Sequence, residues 1–311
     1  MSGDVWFGSW PSGGTVALRD VTLRDGLQDE HPLSTDRKLA VYEALVAAGV
    51  RDLELTSFVR PDRVPAMADA EELAAATSAH GDVRRWALVL NGRGAQRALA
   101  AGMTNLQFVI SASEAHSIRN AGRSVDAGLA ELARIRAAAP GGVRVELTVA
   151  TAFGCPFDGP VPPALVESVV ERGLAVGLDG ISLADTIGTA VPREVASLVG
   201  TVVVRTGDVP VGIHVHDTRG LGVVNVIAAL DAGAVRADAS LGGLGGCPFA
   251  PGASGNVALE DLVHLFEASG VDTGIDLDRL LAASRLACEL VGRRVGSHVG
   301  VAGSRFAASH E

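Results

Sequence analysis

Lysine is the scarcest charged residue of this 311-residue chain, which contains only Lys38. We predict that Lys38 lies early in an amphipathic helix that Ser34 or Thr35 caps and that runs to Gly49. Covalent catalysis by lysine needs an amine buried in a pocket with a lowered pKa, and such a helix is the wrong element to supply one. The scarcity therefore argues against Schiff-base aldolases, pyridoxal phosphate enzymes and carbamylated-lysine metal sites. Carbanion chemistry in this chain would need a metal ion.

Cysteine, positive charge and long apolar runs are also scarce. The three cysteines are odd in number, which fits reduced thiols and predicts a cytoplasmic protein in which Cys155 and Cys288 are structural. A formal net charge of −10 argues against general binding to nucleic acids. No apolar run reaches membrane-spanning length, and residues 1–14 lack the regions of a secretory signal, so we expect neither a membrane span nor export.

Apolar segments of strand length alternate with segments of helical period, such as Ser124–Ala139 and Pro192–Arg205. Eight strand candidates, with no G-x-G-x-x-G after the first, favour an α/β fold of the (β/α)8 TIM barrel type over an open doubly wound sheet. We predict one catalytic domain over residues 1–311, with a barrel core at about 16–265, C-terminal helices at about 266–295 and short N- and C-terminal appendages. The predicted strands are Val16–Leu23, Asp52–Ser57, Trp86–Leu90, Leu106–Ser111, Val143–Ala150, Gly180–Ala184, Val211–Val215 and Ala237–Leu241.

The most informative stretch is His214–Asp217, where a buried-looking strand meets a loop. His-x-His alone is also typical of a packed core or surface pair, but residues two apart on a strand share a face, so both imidazoles can point at one place. Active sites of such barrels lie at the carboxyl ends of the strands, where strand 1 leads into Arg24 and Asp25. Strands 1, 7 and 8 are neighbours in a closed barrel, so Asp25, His214 and His216 should converge. With an amide oxygen from Asn256, they predict a site for Mg²⁺ or Mn²⁺.

Three further residues fit catalytic roles or substrate contacts. In a pocket, the fixed fork of donors of Arg24 would stabilise an enolate or carboxylate oxygen, although it could also be a surface charge. A salt bridge from Arg24 to Asp25 is disfavoured, because adjacent strand residues face opposite ways. A buried Glu54 needs a partner, either Arg24 or a metal-bound water. Cys247 lies in a glycine-rich loop that could carry its thiol to the substrate as an acid or base, unless it is a bystander.

From about Val16 to Val295 the chain resembles the 3-hydroxy-3-methylglutaryl-CoA (HMG-CoA) lyase family, within a larger group of metal-dependent barrel lyases and acyl synthases. The resemblance implies a metal-dependent carbon–carbon lyase that performs retro-Claisen cleavage of a CoA thioester to acetyl-CoA and a keto acid, which is acetoacetate if the substrate is HMG-CoA. We also expect a homodimer. The strings that carry the resemblance are Arg24-Asp25-Gly26-Leu27-Gln28, Glu54-Leu55-Thr56-Ser57-Phe58-Val59, Asp185-Thr186-Ile187-Gly188, His214-Val215-His216-Asp217-Thr218 and the loop from Gly243 to Asn256.

Carried over by position, the resemblance implies roles for individual residues. It makes Arg24 an enolate stabiliser and Cys247 the loop thiol. We also expect Asp25 and His214 to be catalytic groups as well as metal ligands. The implied metal environment is Asp25, His214, His216 and Asn256. We assign substrate binding to Gln28, Glu54 and Arg219.

The chain also departs from the family pattern. Thr22-Leu23 replaces Gly-Pro and is closer to the synthases, and Arg219-Gly220-Leu221 replaces Tyr-Gly-Gln. The acyl group is therefore open, and Arg219 could select a longer or more acidic substrate. One alternative is a Claisen-type synthase of the isopropylmalate or citramalate type, but synthases usually have Glu where this chain has Leu27 and lack the Cys247 loop. Another is a lyase for a related 3-hydroxyacyl-CoA. A non-catalytic binding protein fits the polar strand ends poorly.

Overall fold

The computed structural model describes residues 15–246 and 255–303 of the chain. Within them, eight parallel strands close into a barrel in chain order, with β8 paired to β1. The predicted TIM barrel is confirmed, and two strands have the predicted bounds. The strands are β1 (Ala17–Asp20), β2 (Asp52–Ser57), β3 (Arg84–Val89), β4 (Asn105–Ser111), β5 (Arg144–Ala150), β6 (Gly180–Asp185), β7 (Val211–Val215) and β8 (Arg236–Ala239).

Helices follow the strands, and their buried apolar side chains join those of the strands in one core. Ser113 and Ser124 accept backbone N–H groups at two helix starts, as N-caps do. Gly49 and Gly177 follow the ends of two helices with positive φ, as glycines that terminate helices commonly do. No helix in the described part of the chain is long and apolar enough to cross a membrane. The helices are α1 (Thr35–Ala47), α2 (Ala70–Ala76), α3 (Gly92–Ala100), α4 (Glu114–Ala121), α5 (Val125–Ala138), α6 (Pro163–Leu174), α7 (Pro192–Thr206), α8 (Gly222–Asp231), α9 (Leu259–Ala268), α10 (Leu277–Leu290) and α11 (His298–Ala302).

The first strand is shorter than predicted. β1 ends at Asp20, and Thr22–Gly26 forms a single π-helical turn. Asp20 holds this turn by accepting hydrogen bonds from the backbone N–H and the hydroxyl of Thr22, at 3.0 and 2.7 Å. The Thr22 hydroxyl in turn accepts the backbone N–H of Leu241 at 2.8 Å, which ties the turn to the segment after β8. π-Helical turns are rare and are frequent at functional sites.

Lys38 lies in α1 as predicted, but its side chain is buried, which corrects the interpretation that it has no buried environment. Its ammonium pairs with the carboxylate of Asp69 and donates to the backbone oxygen of Ala66 at 2.5 Å. Ser34 precedes the helix without a capping hydrogen bond, and the Thr35 hydroxyl donates to Asp69 instead. Because the amine is engaged in these structural contacts, Lys38 is not placed to form a covalent intermediate.

The interior of the barrel contains a layer of charged side chains. The guanidinium of Arg19 donates to Asp52 at 2.8 Å and to Glu146 at 2.9 Å, and lies 4.1 Å from the ring centre of Trp86. Arg236 reaches the same Glu146 from β8, at 3.2 Å. Branched apolar residues dominate the interior layers of most TIM barrels. The ionic layer of this barrel is therefore unusual for the fold.

Candidate metal and active site

The π-helical turn places Asp25 at the carboxyl end of the barrel, where its side chain is buried. His214 lies near the end of β7, and His216 follows that strand. Their Nε2 atoms lie 4.0 and 3.5 Å from the same carboxylate oxygen of Asp25, Oδ2. One possible ligand atom from each of the three residues lies within 4.8 Å of the others. The structure thus brings together the three residues whose convergence the sequence predicts.

Asn256 completes the cluster. It pairs with His216 in an antiparallel bridge, and its Nδ2 donates to Asp25 Oδ2 at 2.7 Å and to the backbone oxygen of Leu244 at 3.0 Å. Because Nδ2 faces two acceptors, Oδ1 points elsewhere, and this buried oxygen has no hydrogen-bond partner in the described residues. A buried amide oxygen without a donor is costly unless a cation or water satisfies it. Carboxylate, imidazole and amide donors therefore fit a divalent metal ion.

Arg24 and Glu54 lie beside this cluster. The guanidinium of Arg24 donates to Glu54 through Nε and to Asp25 through Nη1, so the ion pair disfavoured by the sequence argument is present. Arg24 and Asp25 lie in the π-helical turn and not in a strand, and successive side chains in a helical turn do not point to opposite faces. Glu54 sits at a register shift between β2 and β3. Burial tends to raise the pKa of Asp25, but the charge of Arg24 and a hydrogen bond from His216 hold it well below its usual range.

Two residues assigned to substrate binding lie at different places. Gln28 donates to Asp25 Oδ1 at 3.2 Å and therefore borders the cluster. Arg219 is exposed, and its Nη1 donates to the backbone oxygens of Ile187 and Gly188 at 3.0 and 2.7 Å. In the described residues, Arg219 braces the loop after β6 and has no hydrogen bond to the cluster. Its role in substrate binding stays a prediction.

Cys247 lies outside the described residues, but the start of its loop does not. The backbone of Gly245 has φ +128°, and a β-carbon there would come within 2.5 Å of Asn256 Nδ2. The loop therefore starts against the cluster, two residues before Cys247. The other two cysteines, Cys155 and Cys288, are free and buried. Burial raises the pKa of the Cys288 thiol to about 11, which suits an inert core residue.

Sequence reasoning missed Asp238, on β8. This carboxylate is fully buried, and its Oδ2 lies 3.5 Å from Nδ1 of His214. Metal-binding histidines usually turn their second ring nitrogen toward a carboxylate or carbonyl in this manner. A signal was present in the sequence, because Arg236 and Asp238 alternate with alanine in a strand whose two faces are both covered in a barrel.

A closed parallel barrel with an Asp/His/His cluster at the carboxyl ends of its strands defines a TIM-barrel protein with a candidate divalent-metal centre. A profile of the HMGL-like family matches residues 15–287. The chain is 42% identical over 300 residues to (R)-citramalyl-CoA lyase of Chloroflexus aurantiacus, covering 93% of this chain and 95% of that one. It is 36% identical to hydroxymethylglutaryl-CoA lyase YngG of Bacillus subtilis, covering 91% and 95%.

A solved structure of HMG-CoA lyase from Acinetobacter baumannii, in complex with coenzyme A and 3-methylmalate, matches with a TM-score of 0.91 and 40% identity. The match covers 94% of this chain and 97% of that one. The chain therefore belongs to the HMGL-like family and is a carbon–carbon lyase. The resemblance stated from the sequence motifs is confirmed.

Proposed function

We propose that the protein cleaves a branched 3-hydroxyacyl-CoA by a divalent-metal-dependent retro-Claisen reaction, giving acetyl-CoA and a keto acid. The observation that carries the proposal is the convergence of Asp25, His214, His216 and Asn256 beside the guanidinium of Arg24. Such a site can bind a hydroxy acid and stabilise an enolate, which are the two requirements of the reaction.

The four clustered residues would hold Mg²⁺ or Mn²⁺ through carboxylate, imidazole and amide atoms. When bound, the ion supplies Lewis-acid polarisation of the substrate's hydroxyl and carboxylate oxygens. Arg24 would donate to the oxygen that becomes negative as the thioester enolate forms. Glu54 and Asp25 each accept a hydrogen bond from one nitrogen of its guanidinium. Nη2 has no hydrogen-bond partner in residues 15–246 and 255–303, so its N–H groups are available to the substrate.

Cys247 is proposed as the acid that protonates the enolate carbon, since its loop starts against the cluster. His214 and Asp25 are proposed to take part in proton transfer at the hydroxyl as well as in metal binding. Gln28 would contact the substrate from beside Asp25, and Arg219 would act from the rim of the site. These roles balance the reaction, because the proton lost by the hydroxyl is matched by one gained at carbon.

The relatives favour two acyl groups. The chain is 42% identical to a citramalyl-CoA lyase and 36% identical to an HMG-CoA lyase, so both thioesters are candidate substrates. Citramalyl-CoA would release pyruvate, and HMG-CoA would release acetoacetate. We further propose that residues 1–311 form one catalytic domain and that the protein is cytoplasmic. We also propose that it is a homodimer, and light scattering on the purified protein would test this oligomeric state.

The direct test is a set of 3-hydroxy-3-alkylacyl-CoA esters, including citramalyl-CoA and HMG-CoA, incubated with the protein and Mg²⁺ and followed by mass detection. We expect acetyl-CoA from at least one ester, loss of turnover with chelator, and recovery with Mg²⁺ or Mn²⁺. Full activity in metal-stripped protein would contradict the metal requirement. Net condensation of acetyl-CoA with a keto acid, without cleavage of any ester, would support a synthase instead.

A further inference from the structure

A chain of ion pairs runs through the barrel interior toward the candidate metal site. Arg19 and Arg236 both bind the carboxylate of Glu146, at 2.9 and 3.2 Å. Arg236 also donates from Nε to Oδ1 of Asp238 at 3.1 Å. All four side chains are less than one tenth exposed. These ion pairs therefore link β1, β5 and β8 through side chains that the proposed reaction does not use.

This series of ion pairs ends at His214. One oxygen of Asp238, Oδ1, is held by Arg236, whereas the other, Oδ2, is buried and has no hydrogen-bond partner in the described residues. Nδ1 of His214 lies 3.5 Å from Oδ2. A proton on Nδ1 would satisfy Oδ2 after a small shift of the ring. The lone pair of His214 would then be on Nε2, the nitrogen that faces Asp25.

The strands make room for the ionic chain with two glycines. A β-carbon on Gly212 of β7 would come within 2.6 Å of a guanidinium nitrogen of Arg236. One on Gly180 of β6 would come within 2.8 Å of a carboxylate oxygen of Glu146. Buried ion pairs are often no more stabilising than apolar residues of the same volume, so stability alone is a poor reason to keep them. A positioning role explains why the fold accommodates them.

We propose that Arg236 and Glu146 are positioning residues for the metal ligand His214 and act through Asp238. Arg236 fixes the carboxylate of Asp238, and Glu146 fixes Arg236 against Arg19. The carboxylate then sets the rotation and tautomer of the imidazole. This inference rests on the metal site of the proposed function. Loss of comparable supporting contacts typically weakens metal binding by about 10–100-fold.

The experiment is a titration of metal-free, full-length protein with Mn²⁺, with free Mn²⁺ followed by electron paramagnetic resonance. Arg236→Met removes the ion pair with Asp238 and leaves Glu146 paired with Arg19. The matched control is Asp52→Asn, which disturbs Arg19 at the other end of the layer without touching Asp238 or His214. Urea unfolding of each variant measures its stability separately.

We expect Arg236→Met to weaken Mn²⁺ binding by about 10-fold or more, and Asp52→Asn to keep the wild-type affinity even where it lowers stability. Equal Mn²⁺ affinity in Arg236→Met and wild type would overturn the positioning role alone. Equal weakening in both variants would also overturn it, because any disturbance of the interior would then suffice. A wild type that binds no Mn²⁺ would overturn the metal site and this inference with it.

Glu146→Gln keeps the shape of that side chain and removes its charge, so it serves if Arg236→Met does not fold. Weaker Mn²⁺ binding in Glu146→Gln, with the affinity of Asp52→Asn unchanged, supports the inference. Wild-type affinity in Glu146→Gln contradicts it.

Discussion

The substitution Asp20→Asn should stabilise the protein increasingly as the pH rises. Asp20 is fully buried behind the π-helical turn, and burial raises its pKa from 3.8 to about 7, although the hydrogen bonds from Thr22 oppose the shift. Its folded pKa thus lies above its unfolded pKa. The native state binds the extra proton between these values, so stability falls as the pH rises through this window and is constant above it.

The size of the effect follows from the two pKa values. A shift of about 3 units corresponds to about 4 kcal/mol between full protonation and full ionisation. The wild-type protein has already lost about 1.7 kcal/mol of this stability at pH 5. It therefore loses about another 2.5 kcal/mol between pH 5 and pH 8. Asparagine has the same shape without the charge, and its amide can donate to the Thr22 hydroxyl. Other titrating groups cancel when variant and wild type are compared.

Urea unfolding followed by tryptophan fluorescence at pH 5, 6, 7 and 8 measures the difference, provided that unfolding is reversible and the urea dependence is unchanged. The free energy of unfolding of the variant, relative to that of wild type, should rise by about 2.5 kcal/mol from pH 5 to pH 8. Asp208→Asn, at an exposed position, should show no such trend. A difference for Asp20→Asn that is the same at every pH would refute the reasoning, because Asp20 would then titrate alike in both states.

Three further outcomes are expected. Arg24→Met should fold normally and lose at least about two orders of magnitude in kcat, as expected for removal of a donor to a developing oxyanion; a change in KM alone would assign Arg24 to substrate binding. Cys247→Ser should bind Mn²⁺ normally but lose most turnover, whereas Cys288→Ser stays active; near-normal turnover of Cys247→Ser would make its thiol a bystander. Gly212→Ala should lose about 1–3 kcal/mol from overpacking against the interior arginine, whereas Gly200→Ala, in a helix with open space around it, should not. Denaturant midpoints of the glycine variants decide this, and equal values would contradict it.

The positions of most strands and the candidate metal site were predictable because both depend on local periodicity and on barrel closure. His214 lies on β7 and His216 comes two positions later, directly after the strand, and the closed order of strands brings Asp25 beside them. Neither inference needs atomic detail. Because active sites of such barrels lie at the carboxyl ends of the strands, Asp25, His214 and His216 are all expected at that end of the barrel.

What the sequence did not predict depends on non-local contacts. The π-helical turn is held by Asp20, Thr22 and the backbone of Leu241, which lies more than two hundred positions away. No local pattern shows that β1 stops early, so the contact between Arg24 and Asp25 was missed. Lys38 is likewise paired by a non-local contact, with Asp69, which directly precedes α2.

The contact between Asn256 and Asp25 spans 231 positions of the chain. During synthesis on a ribosome, Asp25 emerges early and Asn256 only after all eight strands have been made. The candidate ion site therefore cannot exist in a growing chain, and it forms only when β8 closes against β1. An ion bound there would stabilise the closed barrel by mass action and not an open precursor. We therefore expect the cellular metal supply to influence how much newly made protein remains closed.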